Sequence, residues 1–215
     1  MKEKGLYYYK KFHIKEIIFI GLLFLGQIIL YLISSKVNSN GHIINMKIDS
    51  LIPFCKYFIF FYFTYYWFVP LILWLLSYAN PRKFYRLLIA TAVTCIACNI
   101  CFLIYQVQMV RPSINDNDIF SILVKFIYNS DPTAQNCCPS IHAVMGTLMI
   151  IGGYKTEKFP KWLKITSIVF GIGCIVSTVF VKQHYFIDMV LGVIFMSVFY
   201  ALVLLIDKKI QKKRK

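Results

Sequence analysis

Acidic residues are scarce in this chain. Its 215 residues include 9 Asp and Glu against 24 Lys and Arg, for a formal net charge of +15. Charge of any sign is also low, at 15%, where a soluble domain carries about 25%. No cluster of carboxylates is available to hold a divalent cation through oxygen, so a metal-independent chemistry with no cofactor is expected. No internal repeat, low-complexity tract or linker divides the sequence. What the chain does have is apolar mass: 59% hydrophobic residues, with 19 Phe and 15 Tyr. Disordered basic chains are poor in aromatics, and a soluble nucleic-acid binder would match the charge but not the apolar content. No nucleic-acid partner is expected. An integral membrane protein with basic connections remains.

A membrane span takes about 20 mostly apolar residues. Six such runs are present, at about 17–34, 57–78, 84–106, 140–154, 162–181 and 185–206. The fourth is short, and Pro70 in the second is expected to kink its helix. Runs of this length satisfy their own backbone hydrogen bonds in lipid as helices. The expectation is an all-α polytopic protein, residues 1–215 forming one six-helix domain. The first run is longer than the 7–15 residues of a signal-peptide core and no small-residue cleavage site follows it, so it reads as a retained helix.

Cytoplasmic segments are enriched in Lys and Arg. Lys2, Lys4, Lys10, Lys11 and Lys15 precede the first run. Arg82, Lys83 and Arg86 lie between the second and third. Lys155, Lys158, Lys161 and Lys164 lie between the fourth and fifth, and Lys208, Lys209, Lys212, Lys213, Arg214 and Lys215 end the chain. Only Lys36, Lys47, Lys56, Arg111, Lys125 and Lys182 fall on the other side. Both termini are therefore expected in the cytoplasm, with the basic segments against anionic inner-leaflet lipids. On the outer side, residues 35–56 read as a segment lying along the bilayer surface. The long 111–139 connection contains a short helix over Ile119–Tyr128, whose apolar residues recur at helical spacing.

Ionisable residues at a membrane boundary are costly and mark function. The lysine and arginine count, made without reference to the histidines, puts Arg111, His142, His184 and Asp188 at one depth on the outer side. His184 and Asp188 are four apart and share a helix face. A carboxylate there can fix the histidine tautomer and leave one ring nitrogen nucleophilic. Cys138-Pro139-Ser140-Ile141-His142 opens the fourth run. Proline suits a first helical turn, and the free N–H groups with the Ser140 hydroxyl suit a phosphate. His142 can protonate a leaving oxygen. Arg111 suits bidentate phosphate binding, and Lys182 is a second cation two residues before His184. Each of these has a plainer reading: a capped helix end, a structural His–Asp pair, a snorkelling arginine. Together they describe phosphoryl transfer, which rests on positioning and charge stabilisation.

These residues resemble the type 2 phosphatidic acid phosphatase superfamily, whose motifs are KxxxxxxRP, PSGH and SRxxxxxHxxxD. The first motif corresponds to Ile104 through Arg111-Pro112, the second to Pro139-Ser140-Ile141-His142, and the third to Ser177-Thr178 through His184 and Asp188. The resemblance implies that His184 is the nucleophile, oriented by Asp188. It implies that His142 is the general acid and that Arg111 and Ser140 hold the phosphate. Three positions depart from the pattern: Ile104 replaces the lysine, Ile141 the glycine and Thr178 the arginine. Lys182 is expected to compensate for one missing cation. The departures are similar to the inositol phosphorylceramide synthase-like branch of lipid phosphotransferases.

The expected activity is a cell-membrane lipid phosphatase working on a phosphate monoester or pyrophosphate at the extracytoplasmic face. Phosphatidic acid, phosphatidylglycerol phosphate and undecaprenyl pyrophosphate are candidate substrates. A lipid phosphotransferase and a non-catalytic transporter or lipid-binding protein are the alternatives. A transporter would place polar residues nearer mid-membrane. Cys95, Cys98 and Cys101 have ligand-like spacing but read as helix packing. A disulfide from Cys55 to Cys137 or Cys138 is conceivable. The aromatic run from Phe60 to Phe68 reads either as lipid-facing residues or as the wall of a groove for a lipid tail. Asp49, Asp116 and Asp118 read as solvated.

Overall fold

The computed structural model describes residues 13–36 and 41–213. Lys2, Lys4, Lys10 and Lys11 of the first basic cluster, and Arg214 and Lys215 of the last, lie outside the described residues. The chain is helical, with no strand among the described residues. In order the helices are α1 (Ile14–Ser34), α2 (Lys47–Leu51), α3 (Ile59–Ala79), α4 (Pro81–Ile104), α5 (Ile119–Ser130), α6 (Ile141–Gly153), α7 (Lys161–Phe180) and α8 (Phe186–Lys213). Five of them, α1, α3 with the 3-10 turn before it, α4, α7 and α8, are long and apolar enough to cross a membrane.

The expected fourth span is the exception. Helix α6 has 13 residues, about 20 Å at 1.5 Å per residue, against a hydrocarbon core of about 30 Å. Its surroundings explain the length. Ala143 through Met149 are buried without a break, so α6 is enclosed on every side rather than facing lipid. It packs on α3, α4, α7 and α8. A helix enclosed by protein is not tied to the bilayer thickness.

Small residues set how close the neighbours come. A Cβ on Gly146 would lie 2.7 Å from the Gly171 carbonyl oxygen, and one on Gly171 would lie 2.6 Å from that of Gly146. Close helix approach through small residues is the membrane packing rule, and it joins α6 to α7. Gly192 does the same for α8, where a Cβ would lie 2.4 Å from the Ser140 carbonyl oxygen. The start of α6 is thereby pressed against the first turns of α8.

Other helix ends follow local chemistry. Asn80 caps α4 by accepting from the Lys83 N–H at 3.0 Å, with Pro81 at the first helical position. Arg82 and Arg86 therefore belong to the first turns of α4 rather than to a loop. Both hold Asp207 of α8, Arg82 at 2.9 Å. That tether accounts for α8 running on to Lys213, beyond the apolar run. Helix α3 continues through Pro70, whose missing N–H deprives the Tyr66 carbonyl of its helical donor. Asp118 caps α5, accepting from Phe120 and Ser121. The apolar residues of α5 divide: Val124 and Ile127 are buried, while Ile119, Ile122 and Phe126 are exposed. All seven cysteines are free thiols.

Candidate active site

Two loops and two helix starts build the site. The turn after α7 carries Lys182, Gln183 and His184. The N–H groups of Gln183 and His184 both reach the Thr178 carbonyl, at 3.0 and 3.2 Å. The segment before α6 carries Cys137, Cys138 and the cis-linked Pro139. Pro139 precedes the cap rather than occupying the first turn, and Ser140 is the cap itself, its hydroxyl accepting from the Ala143 N–H at 3.3 Å. The Ser140 N–H donates to the Asp188 carbonyl oxygen at 2.9 Å. The two helix starts are thus bonded main chain to main chain.

His184 and His142 meet across this junction, with ring centroids 5.8 Å apart. His184 Nδ1 lies 2.8 Å from the Cys137 carbonyl oxygen. A carbonyl only accepts, so the neutral ring carries its proton on Nδ1 and keeps the Nε2 lone pair free. Asp188, fully buried, stands farther off, with Oδ2 at 3.7 Å from Nδ1. That oxygen also accepts from the Tyr185 N–H at 2.9 Å. The expected orienting hydrogen bond is therefore made by a backbone carbonyl, and Asp188 adds charge and caps α8. Its charge is felt locally: burial first, and Asp188 second, push the Cys138 thiol up.

His142 is gripped by α3. The Tyr62 ring stacks on it at 4.0 Å and Tyr65 meets it edge-on at 4.6 Å. Its Nε2 is buried and has no hydrogen-bond partner in the protein, an arrangement that calls for a polar ligand. Both histidines line one cavity of about 280 Å³, with Tyr31, Tyr62, Tyr65 and Tyr66 on its walls and Asp131 and Gln183 at its polar side. Of the aromatic run in α3, the tyrosines face this cavity, while Phe60 and Trp67 are exposed on the outside of the helix. The run thus divides between the cavity wall and the outer face of α3.

Arg111 is drawn to the same junction but is already engaged. Its guanidinium donates to Asp131 Oδ2 at 3.0 Å and to Gln183 Oε1 at 2.8 Å, and it sits 4.8 Å over the Tyr128 ring. Those two partners line the histidine cavity, whereas Arg111 itself lines a second cavity with Lys182, Asp49 and Tyr185. Ser140 is fully buried and lines neither. Lys182 is not brought to the histidines. Its backbone is left-handed (φ 52°), and its ammonium runs to the carbonyls of Asp49 and Ile52, at 3.0 and 2.6 Å. It satisfies the open C-terminal end of α2, and burial there lowers its pKa below the usual lysine range. At the other departures from the motif, Ile104 is 79% exposed and Thr178 is buried.

Asp49 reads as solvated in the sequence yet is only 8% exposed. Its two carboxylate oxygens accept from the Phe186 N–H at 2.7 Å and the Met46 N–H at 2.8 Å. It thus caps the helix that follows His184, from 137 residues away in sequence. Spacing holds one hint: Asp49 stands three residues after the α2 cap, as in a capping box. Asp131 and Gln183 carry no such signal. Asp49→Asn replaces one of two acceptors by a donor facing an N–H. A loss of about 1–3 kcal/mol is expected, read as a lower midpoint of thermal unfolding in detergent. An unchanged midpoint would remove Asp49 from this role.

Cys137, His184 and Asp188 offer three potential metal-ligand atoms within 4.8 Å of one another, all buried. Each of these residues already has an internal partner: Cys137 Sγ bonds the Ala134 carbonyl, His184 Nδ1 the Cys137 carbonyl and Asp188 Oδ2 the Tyr185 N–H. The other Asp188 oxygen, Oδ1, is buried without a hydrogen-bond partner in the protein.

Residues 85–212 match the PAP2 superfamily, and the chain belongs to that family. Its members are generally phosphatases or phosphotransferases, and with five apolar helices of spanning length this is a membrane protein of phosphatase type. Comparison with curated proteins and with solved structures gives no match.

Proposed function

We propose that the protein is a multi-pass cell-membrane enzyme that hydrolyses a lipid phosphate monoester or pyrophosphate at the extracytoplasmic face, through a phosphohistidine. The observation that carries this reading is the histidine pair. One ring is held with Nε2 free by an acceptor-only partner, and the other is buried with an unpaired nitrogen in the same cavity.

In the first half-reaction His184 Nε2 attacks phosphorus, the bond from phosphorus to the lipid oxygen breaks, and His142 gives its proton to that oxygen. In the second, His142 takes a proton from water, the resulting hydroxide attacks phosphorus, and the P–N bond breaks to release phosphate. Arg111 exchanges Asp131 for phosphate oxygens, and Gln183 keeps it beside His184. Ser140 supports the site by capping α6, and α6 is the short fourth of six spans. The basic helix ends face the cytoplasm and its anionic lipids, with both termini on that side.

A lipid phosphotransferase with the same first half-reaction is a second reading, and one observation favours it. Arg111 is paired with Asp131, and the motif positions for two further cations hold Ile104 and Thr178. A site so poor in positive charge suits the single charge of a phosphodiester donor better than a monoester dianion.

Purified protein in lipid vesicles separates the readings. Free phosphate released from phosphatidic acid is expected of the hydrolase, and a new phospholipid in the presence of an acceptor lipid of the transferase. Activity is expected to survive EDTA. Loss on chelation with recovery on adding Mg²⁺ would overturn the metal-independent chemistry.

A further inference from the structure

We infer that the histidine cavity takes one chain-bearing lipid, which enters sideways from the bilayer between α1 and α3. This rests on the phosphoryl-transfer reading and adds the route and the seat of the chain. Exposed residues line the cavity on two sides. At its polar side the exposed Ser130 stands with Asp131 and Gln135. On its flank the exposed lining residues are Ile28 of α1, 55% exposed, and Tyr66 of α3, 47% exposed.

The flank opening faces hydrocarbon. Helices α1 and α3 are both long and apolar enough to span. Ile28 lies six residues from the end of α1 and Tyr66 seven from the start of α3, about 9 and 10 Å at 1.5 Å per residue. Both helix ends are on the site's side of the molecule. The opening therefore sits at one depth, inside a hydrocarbon core about 30 Å thick. Around it α1 presents Leu25, Ile29 and Leu32 outward, all exposed.

Size points to the same occupant. Pockets that enclose a whole small ligand measure about 300–1,000 Å³, and this one measures about 280 Å³. It holds a phosphate beside the histidines and the first stretch of a chain along Phe24, Ile28 and Met145, while the rest of the chain leaves through the flank into lipid. The polar opening serves water or an acceptor hydroxyl and released phosphate.

Photocrosslinking tests this directly. Phosphatidic acid with a diazirine on its acyl chain is mixed into phosphatidylcholine vesicles holding the His184→Ala protein, and labelled peptides are mapped. Label on the segments 24–31 and 62–66 is expected, and competed away by unlabelled phosphatidic acid. Label spread evenly over all lipid-facing helices, or absent from either segment, would overturn the route. In the active protein, Ile28→Trp is expected to raise KM for a long-chain lipid phosphate at least tenfold more than for a short-chain water-soluble one. Ile18→Trp, on the exposed surface of α1 but ten residues and about 15 Å from Ile28, leaves both as they are. Equal effects of Ile28→Trp on the two substrates would also overturn it. Specific label with no turnover by wild type would leave the groove standing and sink the phosphoryl-transfer reading. Turnover without label would do the reverse.

Discussion

His184→Ala is expected to remove turnover, by about 10⁴-fold or more in kcat, the scale on which loss of a catalytic nucleophile acts. His142→Ala is expected to behave differently, and the contrast is the informative part. General acid catalysis contributes about 10²–10⁴-fold, and that contribution matters only when the leaving oxygen needs a proton. With a lipid alcohol as leaving group, His142→Ala loses most activity. With an activated leaving group such as p-nitrophenol, the first half-reaction proceeds and the phosphohistidine accumulates, because His142 is also needed to activate water. Alkaline quench and ³¹P spectroscopy should then detect a base-stable, acid-labile phosphoprotein in His142→Ala and none in His184→Ala. Equal phosphate release from wild type and both variants would sink the assignment. The geometry makes the roles unequal in this way: His184 is held by a carbonyl at 2.8 Å, and His142 is held only by the faces and edges of tyrosine rings.

Much of the architecture could be read from hydropathy because lipid imposes one rule on every span. Five of the six apolar runs correspond to helices of spanning length. The short helix of the long connection also lies where its spacing predicts, at Ile119–Ser130. The run at 140–154 resisted because its length answers to other helices rather than to the bilayer. Gly146, Gly171 and Gly192 let those helices close around it, and a glycine in an apolar run gives no such notice. Helix ends were misplaced where a partner far away in sequence decides them, as Arg82, Arg86 and Asp207 do for α4 and α8.

The candidate site was legible in its residues and not in their orientations. Residue type and spacing bring His142, His184, Asp188 and Arg111 to one junction, and the structure places them there. Which atom each side chain meets depends on backbone that spacing cannot describe. The acceptor for His184 is a main-chain carbonyl, which any residue at position 137 would supply. Lys182 is two residues from His184 but turns away, because its left-handed backbone sends the ammonium to α2. Arg111 meets Asp131, whose carboxylate answers its guanidinium.

Gly192→Ala is expected to damage both stability and catalysis, although it adds one methyl group and touches no reacting atom. The added Cβ would fall 2.4 Å from the Ser140 carbonyl oxygen and 2.8 Å from the Ala143 side chain. A carbonyl within the α6 cap cannot swing aside as a long side chain can, so α8 must move away from α6. Overpacking of this kind costs about 1–3 kcal/mol, or about 2–4 °C in unfolding midpoint for each kcal/mol in a chain of this size. Gly21→Ala is the matching control. Gly21 lies in α1 with nothing within 4 Å of its Cβ position, and alanine favours helix over glycine by about 1 kcal/mol. One substitution should therefore lower the midpoint and the other leave it level or raise it. The separation of α8 from α6 also parts His184 from His142, and it pulls on the bond between the Ser140 N–H and the Asp188 carbonyl. Gly192→Ala should accordingly lower kcat at temperatures where the protein is still fully folded. If kcat follows only the folded fraction, the contact between α6 and α8 stabilises the bundle without setting the distance between the histidines.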